Sequence, residues 1–325
     1  MMLRNSLMEI VRGLSIATFV LLMGGQGLKA NEPQPAGQTD GVATENRFGV
    51  LVMAHGGSPQ WNEGVMQSLA PLQNQYPVEV AFGMADAYSL QQAVNRLESH
   101  GVTDIGVVRL FISGESWYER TRQILGMEPG APARINADAH SMHHDGGSHG
   151  MRMEFWQVES QARFAMTQDG LADAREMADV LFARAQRLSQ NPKQEDVVVL
   201  AHGPGDDAEN QRWIDKISAR AQRLREEGGY HDVFVTTLRE DWPEKREAAQ
   251  QELRAYIAAS ENSGRQVLVI PYRVHGFGPY EDVLAGLDYQ TDGTGLVPHP
   301  AVTRWVESQA ALLRSDSPVL SNVMQ

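Results

Sequence analysis

Three histidines stand where apolar runs end. His55 closes the run 48–54 (FGVLVMA) and is followed by Gly56-Gly57. His202 closes 197–201 (VVVLA) and is followed by Gly203-Pro204. His275 directly follows 267–274 (VLVIPYRV) and precedes Gly276. Glu240 lies just beyond a further run, 233–238 (VFVTTL). A neutral imidazole binds divalent transition metals and takes up protons near neutral pH. Two imidazoles with a carboxylate therefore make a labile site for a divalent cation and a set of proton acceptors. The glycine after each histidine lets the backbone bend sharply and a ligand come close. A lone histidine at a strand end is ordinarily a satisfied polar residue. Two in the same Ala-His-Gly context, with a third at a matching edge, point to a site.

A second group has a different character. His140, His143, His144 and His149 lie with Asp138 and Asp145 around the stretch HSMHHDGGSHG, in a chain with ten histidines. Their irregular spacing suits a metal-collecting loop, 138–149, rather than a structural centre. The rival reading is a solvated polar loop.

The elements that must carry these residues repeat. His55 and His202 are 147 residues apart, a domain-sized interval. Each half shows apolar runs of strand length (48–54, 78–84 and 105–112; then 197–201, 233–238 and 267–274) separated by amphipathic stretches. Continuous apolar strands alternating with helices imply parallel sheets covered on both faces. Ser89 is the expected N-cap of the helix after 78–84, and Pro243 suits the first turn of the helix after 233–238. Residues 151–158 read as a fourth strand and 171–188 as a long helix. The expected organisation is α/β, with halves at 47–190 and 191–325. In open parallel sheets ligands bind beyond the carboxyl ends of the strands, which is where His55, His202 and His275 fall. His202 and His275 are expected to face each other across such a cleft.

Composition narrows the classes. The chain has 325 residues, no cysteine and a formal charge of −13. Disulfides are excluded, any metal site must use His, Asp, Glu or Met, and nucleic acid is an unsuitable partner. Arg4 and Arg12, the apolar run 14–23 and Leu28-Lys29-Ala30 follow the order of a secretory signal peptide over 1–30. Only sixteen uncharged residues separate Arg12 from Lys29, short of a spanning helix. The expectation is export, to a periplasm, with no stable membrane span after cleavage. Loss of Arg4, Glu9, Arg12 and Lys29 would leave the chain at −15, with 31–46 as a flexible lead-in.

With these residues in view, the chain resembles the CbiX/SirB/CbiK group, the class II tetrapyrrole chelatases. LVMAHGG and VVLAHGP are similar to that group's first strand and histidine turn. VVRLFIS with Gln123-Ile124-Leu125-Gly126, and VLVIPYRVHGFGPYEDVLAG, are similar to its third strand and following helix. Residues 295–300 (GLVPHP) are similar to its terminal LG-x-HP stretch. The likeness spans about residues 47–315 and implies two chelatase-like halves. It implies ATP-independent insertion of Co²⁺, Fe²⁺ or Ni²⁺ into a tetrapyrrole such as sirohydrochlorin, with the metal as substrate and no permanently bound cofactor. It also implies His202 and His275 as the catalytic pair, with Glu240 as carboxylate partner. In the first half His55 matches, whereas Gly114-Glu115-Ser116-Trp117 stands where the second histidine belongs, so Glu115 is the substitute ligand or catalysis has been lost there.

The chemistry suits these residue types. Metallation releases two pyrrole N–H protons as the metal sheds water, and histidine can hold a metal weakly and accept protons. An acidic chain repels a polycarboxylate ring, so Arg109, Arg239 and Arg273, at strand ends, are expected to meet its carboxylates. Trp61, Trp117, Tyr118, Trp242, Phe277 and Tyr280 are expected either to stack on a flat ring or to fill the core. The alternative function is an exported metal-, haem- or tetrapyrrole-binding protein on a non-catalytic chelatase fold. Hydrolysis through Ser58 or Ser113 lacks a G-x-S-x-G elbow, and no phosphate-binding glycine loop is present.

Overall fold

The computed structural model describes residues 47–134 and 153–315. The leader, the lead-in and the histidine-rich loop lie outside them. Strands form at the apolar runs: β1 (Phe48–Ala54), β2 (Val78–Phe82), β3 (Asp104–Leu110), β4 (Arg163–Met166), β5 (Glu195–Ala201), β6 (Asp232–Thr237) and β7 (Gln266–Tyr272). They make two parallel sheets, in the orders β2-β1-β3-β4 and β6-β5-β7. Parallel neighbours need crossovers. Helices α1 (Pro59–Leu69), α2 (Ala87–Ser99), α3 (Tyr118–Ile124) and α4 (Met177–Leu188) serve the first half. Helices α5 (Asp207–Arg220), α6 (Gln222–Glu227), α7 (Pro243–Asn262), α8 (Tyr280–Val283) and α9 (Pro300–Ser315) follow in the second. The fold is α/β, parallel sheets flanked by helices, as the alternation of runs implied.

Three local expectations differ. Within 151–158 the described residues hold only an isolated bridge from Gln157 to Ala133, and the fourth strand is β4, a half-exposed edge strand with little apolar signal. Asp86 rather than Ser89 caps α2: its carboxylate accepts from the Ser89 amide at 2.8 Å, so Ser89 sits one turn inside. The long helix begins at Met177; Leu171, Ala172 and Ala174 are buried in the turn ahead of it.

Side chains on a strand alternate between faces, and the core follows that period. Val50, Val52 and Ala54 of β1 and Val197, Val199 and Ala201 of β5 all belong to one cluster spanning both sheets. Leu51 and Met53 face a cluster confined to the first half, and Val198 and Leu200 one confined to the second. The sheets thus share an inner core and keep separate outer ones. Their helices cross over. α9, last in the chain, packs against β3 of the first sheet, where Gly106 leaves room beside Leu313. α4 packs against β7 of the second sheet. Thr303 donates to the Ser68 carbonyl at the end of α1, and the buried Tyr272 hydroxyl donates to Leu171 carbonyl at 3.0 Å.

Candidate active site

Between the carboxyl ends of the two sheets lies a cavity of about 1000 Å³ lined by His55, His202, His275, Glu115 and Glu240. Sequence reasoning placed these residues at strand ends; the fold brings them all to one cleft. Among the described residues, no group of three or more His, Asp or Glu side chains is set closely enough to hold a metal ion.

The two Ala-His-Gly turns share one geometry. Gly56 and Gly203 have φ of +78° and +79°, which a side chain would strain. The turn brings each glycine carbonyl back to the preceding ring: Nδ1 of His55 lies 2.9 Å from Gly56 carbonyl oxygen, and Nδ1 of His202 lies 2.8 Å from that of Gly203. A carbonyl only accepts, so each Nδ1 carries the proton and Nε2 is left to the cleft.

The surroundings of the two rings differ. His202 Nε2 lies 3.1 Å from an Asp241 carboxylate oxygen and 3.9 Å from Glu240. With Nδ1 on a carbonyl and Nε2 on a carboxylate, His202 is built to share a cation, a proton or a metal, with Asp241. His55 is exposed and has Trp61 as its aromatic neighbour, with ring centroids 6.5 Å apart.

Strand register shows how far the halves diverge. Ala54 pairs with Phe82 and Leu110, and Ala201 pairs with Thr237 and Tyr272. Three residues beyond the row stand Glu240 and His275 in the second half, and Ala85 and Ser113 in the first. Ser113, rather than Glu115, therefore holds the position of His275. It is buried and accepts a hydrogen bond from the Glu115 amide. Glu115 forms a two-pronged ion pair with Arg212 of α5, at 2.6 and 2.9 Å, which holds its carboxyl below the usual range.

His275 leans across the halves. Its ring lies 6.4 Å from Trp61, and a Cβ on Gly64 of α1 would come within 2.7 Å of its Cδ2. Residues 294–297 brace the turn from the other side. Gly276 donates to Thr294 carbonyl, Leu296 to Arg273 carbonyl and Val297 to Val274 carbonyl. Gly295, at φ +76°, approaches so closely that a Cβ would lie 3.0 Å from His275 Cα. Arg184 of α4 fastens this segment by donating to the carbonyls of Gly295 and Pro298. Burial and then the Arg184 charge push the His275 pKa down, favouring the neutral ring.

The arginines are committed elsewhere. Arg109 is fully buried and donates to the carbonyls of Thr167, Gln168, Ser116 and Gly114. Burial lowers its pKa to about 10, so it stays charged at neutral pH. Its bonds to Gly114 and Ser116 brace the turn in which Trp117 takes a left-handed φ of 59°. Arg239, at φ 58°, donates to the carbonyls of Pro204 and Gly205 and to Asp207. Arg273 pairs with Glu240 and lies over the Tyr280 ring. None of the three meets the cleft as a free cation, because each satisfies buried carbonyls or a carboxylate of its own chain. The aromatics divide likewise. Trp61, Trp117 and Trp242 line the cleft; Tyr118 lies under Arg109, and Phe277 and Tyr280 pack with Tyr289 and Leu284 in the outer core. Sequence reasoning missed Asp241, Asp206 and Glu209 in the lining; adjacency to Glu240 was the only signal for Asp241, and the helix start after His202 for the others.

No family model matches the chain, and no curated protein matches it. Solved structures resemble it. SirB from Bacillus subtilis with Fe³⁺ is 14% identical, with 83% of this chain and 98% of that chain covered and a TM-score of 0.57. The sirohydrochlorin chelatase SirB from Bacillus subtilis subspecies spizizenii, in complex with cobalt, is 11% identical over 83% of this chain and 97% of that one, with a TM-score of 0.53. DR2241 from Deinococcus radiodurans, described as structurally similar to chelatases with two additional novel domains, is 19% identical at a TM-score of 0.52. That match covers 82% of this chain, which spans 55% of DR2241. At these identities the likeness is one of fold, a chelatase-like arrangement of two parallel-sheet halves.

Proposed function

We propose that the protein is a metal chelatase that inserts a divalent cation, Co²⁺, Fe²⁺ or Ni²⁺, into a tetrapyrrole without ATP. The observation that carries this reading is the convergence of His55, His202 and His275 on one tryptophan-lined cleft of about 1000 Å³. His202 and Asp241 grip the incoming cation. Two donors bind it weakly, as cargo requires. His275, kept neutral by burial, accepts the two pyrrole protons in turn and passes each readily to water, because a weak base does not retain it. Entry of the dication releases two protons from the ring, so charge balances without a redox step. Glu240 holds Arg273 and through it the turn that carries His275, and His55 gives a secondary contact for the metal. The likeness to the sirohydrochlorin chelatase makes that ring the first to test.

Anaerobic absorbance of sirohydrochlorin and of a dicarboxylate porphyrin with each metal tests the assignment: multiple turnovers on at least one ring, lost in His202→Ala with an unchanged circular dichroism spectrum, are expected. Insertion into both rings at the free-metal rate with wild-type protein would falsify it.

A second reading is favoured by one observation: Ala85 and Ser113 occupy the first-half positions of Glu240 and His275. A fold that has shed one set of functional groups also suits a carrier of metal or tetrapyrrole. A stoichiometric, slowly released complex without turnover supports that alternative. We further propose export to a periplasm, on the strength of residues 1–30 and with the histidine-rich loop 138–149 as a metal collector. Amino-terminal sequencing of the fractionated protein tests it, and a cytoplasmic chain that keeps Met1 overturns it. Among the described residues no helix is long and apolar enough to cross a membrane.

A further inference from the structure

The charge of the cleft runs against a heavily acidic ring. Its described lining holds five carboxylates, Glu115, Asp206, Glu209, Glu240 and Asp241, and a single arginine, Arg273. That arginine already pairs with Glu240. The cations around the rim are engaged too: Arg212 with Glu115, Lys245 with Gly205 carbonyl and Asp207, and Lys216 with Asp173. The buried Arg109 aims its donors at main-chain carbonyls and Arg239 at carbonyls and Asp207, and although both keep their charge neither lines the cleft. Asp206, Glu209 and Asp241 have no Lys or Arg partner among the described ion pairs; Asp206 caps α5, Glu209 accepts from Trp213, and Asp241 faces His202. Asp206 and Asp241 are exposed at the rim of the cleft and Glu209 is half-buried. Arg212 offsets part of the charge of Asp206 and Glu209, but five carboxylates against Arg273 and Arg212 leave the cleft net negative. What the cleft does offer a ring is aromatic surface from Trp61, Trp117 and Trp242.

We propose that the cleft takes a carboxylate-poor tetrapyrrole, a dicarboxylate or esterified ring whose few acid arms point to solvent, rather than an octacarboxylate one. This rests on the reading of the cleft as a tetrapyrrole site. Each further carboxylate placed among the unpaired acids raises the free energy of the complex, whereas the flat apolar face is unaffected. The same field that disfavours anionic arms attracts the dication.

The test is quenching of tryptophan fluorescence in the full chain by metal-free deuteroporphyrin, coproporphyrin and uroporphyrin, which carry increasing numbers of carboxylates. At low salt the dicarboxylate ring is expected to bind about tenfold or more tighter than the octacarboxylate, with the tetracarboxylate between them, and added salt to narrow the gap. The double variant Asp206→Asn, Glu209→Gln keeps the cap and removes two charges. It is expected to tighten uroporphyrin several-fold and leave deuteroporphyrin within about twofold, a pattern that adsorption of a greasy ring does not produce. Uroporphyrin binding as tightly as deuteroporphyrin, and weakening with salt, overturns this inference and leaves the tetrapyrrole site standing. No quenching by any ring overturns both.

Discussion

The two Ala-His-Gly turns share a glycine conformation and a carbonyl contact and are unlike in their chemistry. Both glycines sit near φ +78°, and both fold a carbonyl onto the histidine Nδ1. Around His202 stand Glu240, Asp241 and Trp242; the matching first-half residues are Ala85, Asp86 and Ala87, and Asp86 is spent capping α2. A repeated backbone turn thus sets the orientation of the ring in both halves while the side chains around it differ. Orientation comes from main-chain geometry, which a fold keeps for its own stability, whereas reactivity comes from side chains free to change.

The sharpest way to break this comparison is to delete each histidine in turn. His202→Ala is expected to lower insertion by about a hundredfold or more, because it removes one of the two donors that hold the cation. His55→Ala is expected to cost less than about tenfold on the same scale. Steady-state insertion rates check both, and equal losses would mean that the halves work as partners.

The next largest effect comes from a residue with no functional group. Gly64→Ala puts a methyl where His275 Cδ2 lies 2.7 Å away, so the ring must turn. Alanine inside a helix stabilises it by about 1 kcal/mol relative to glycine. The variant is therefore expected to melt no lower than wild type while insertion falls about tenfold, an effect on orientation alone. Thermal melts and rates on one preparation separate the two; unchanged turnover would remove His275 from the reaction.

A smaller effect is expected in pH dependence. The folded pKa of His275 lies below its unfolded value, so the unfolded chain binds more protons between the two. Stability supplied by the neutral ring is present above about 6.5, the unfolded value, and is lost as pH falls from there toward the folded pKa. The acid limb of the rate profile should accordingly fall below that of free imidazole, and Arg184→Gln should move it upward, since the Arg184 charge contributes to the depression. A profile that Arg184→Gln leaves in place contradicts this. His299, also depressed by burial, titrates in the same direction, and a His299→Gln control separates it.

The smallest effect belongs to Glu115→Gln. Its pair with Arg212 bridges the halves at the mouth of the cleft, but both side chains are more than two-fifths exposed. Exposed pairs contribute about 0–1 kcal/mol, so stability should barely move. A large fall in insertion would instead restore Glu115 as the first half's ligand.

The sequence displayed much of this because parallel strands, buried on both faces, read as uninterrupted apolar runs: 48–54 is β1 to the residue, and the other runs differ from their strands by a few residues at the ends. β4 escaped because an edge strand half open to water has no such run. Asp86 and Ser89 fit the cap equally well by residue type, and only the hydrogen bond separates them. Arg109 read as a cation for the ring's carboxylates because nothing local shows that the main chain of 114–116 and 167–168 closes over it. Asp241 was overlooked beside Glu240 because the two neighbours differ in reach, which is a property of the turn and of Arg273 rather than of composition.

The exchange of α4 and α9 has a consequence for the order of synthesis. β3 leaves the ribosome long before Pro300–Ser315, the helix that covers its inner face. Until that helix arrives, Gly106 and the inner face of the first sheet are covered by α1 but not by α9, and the N-terminal half lacks part of its core. A chain cut short before Pro300 would therefore show its defect far from the cut, in the sheet made first.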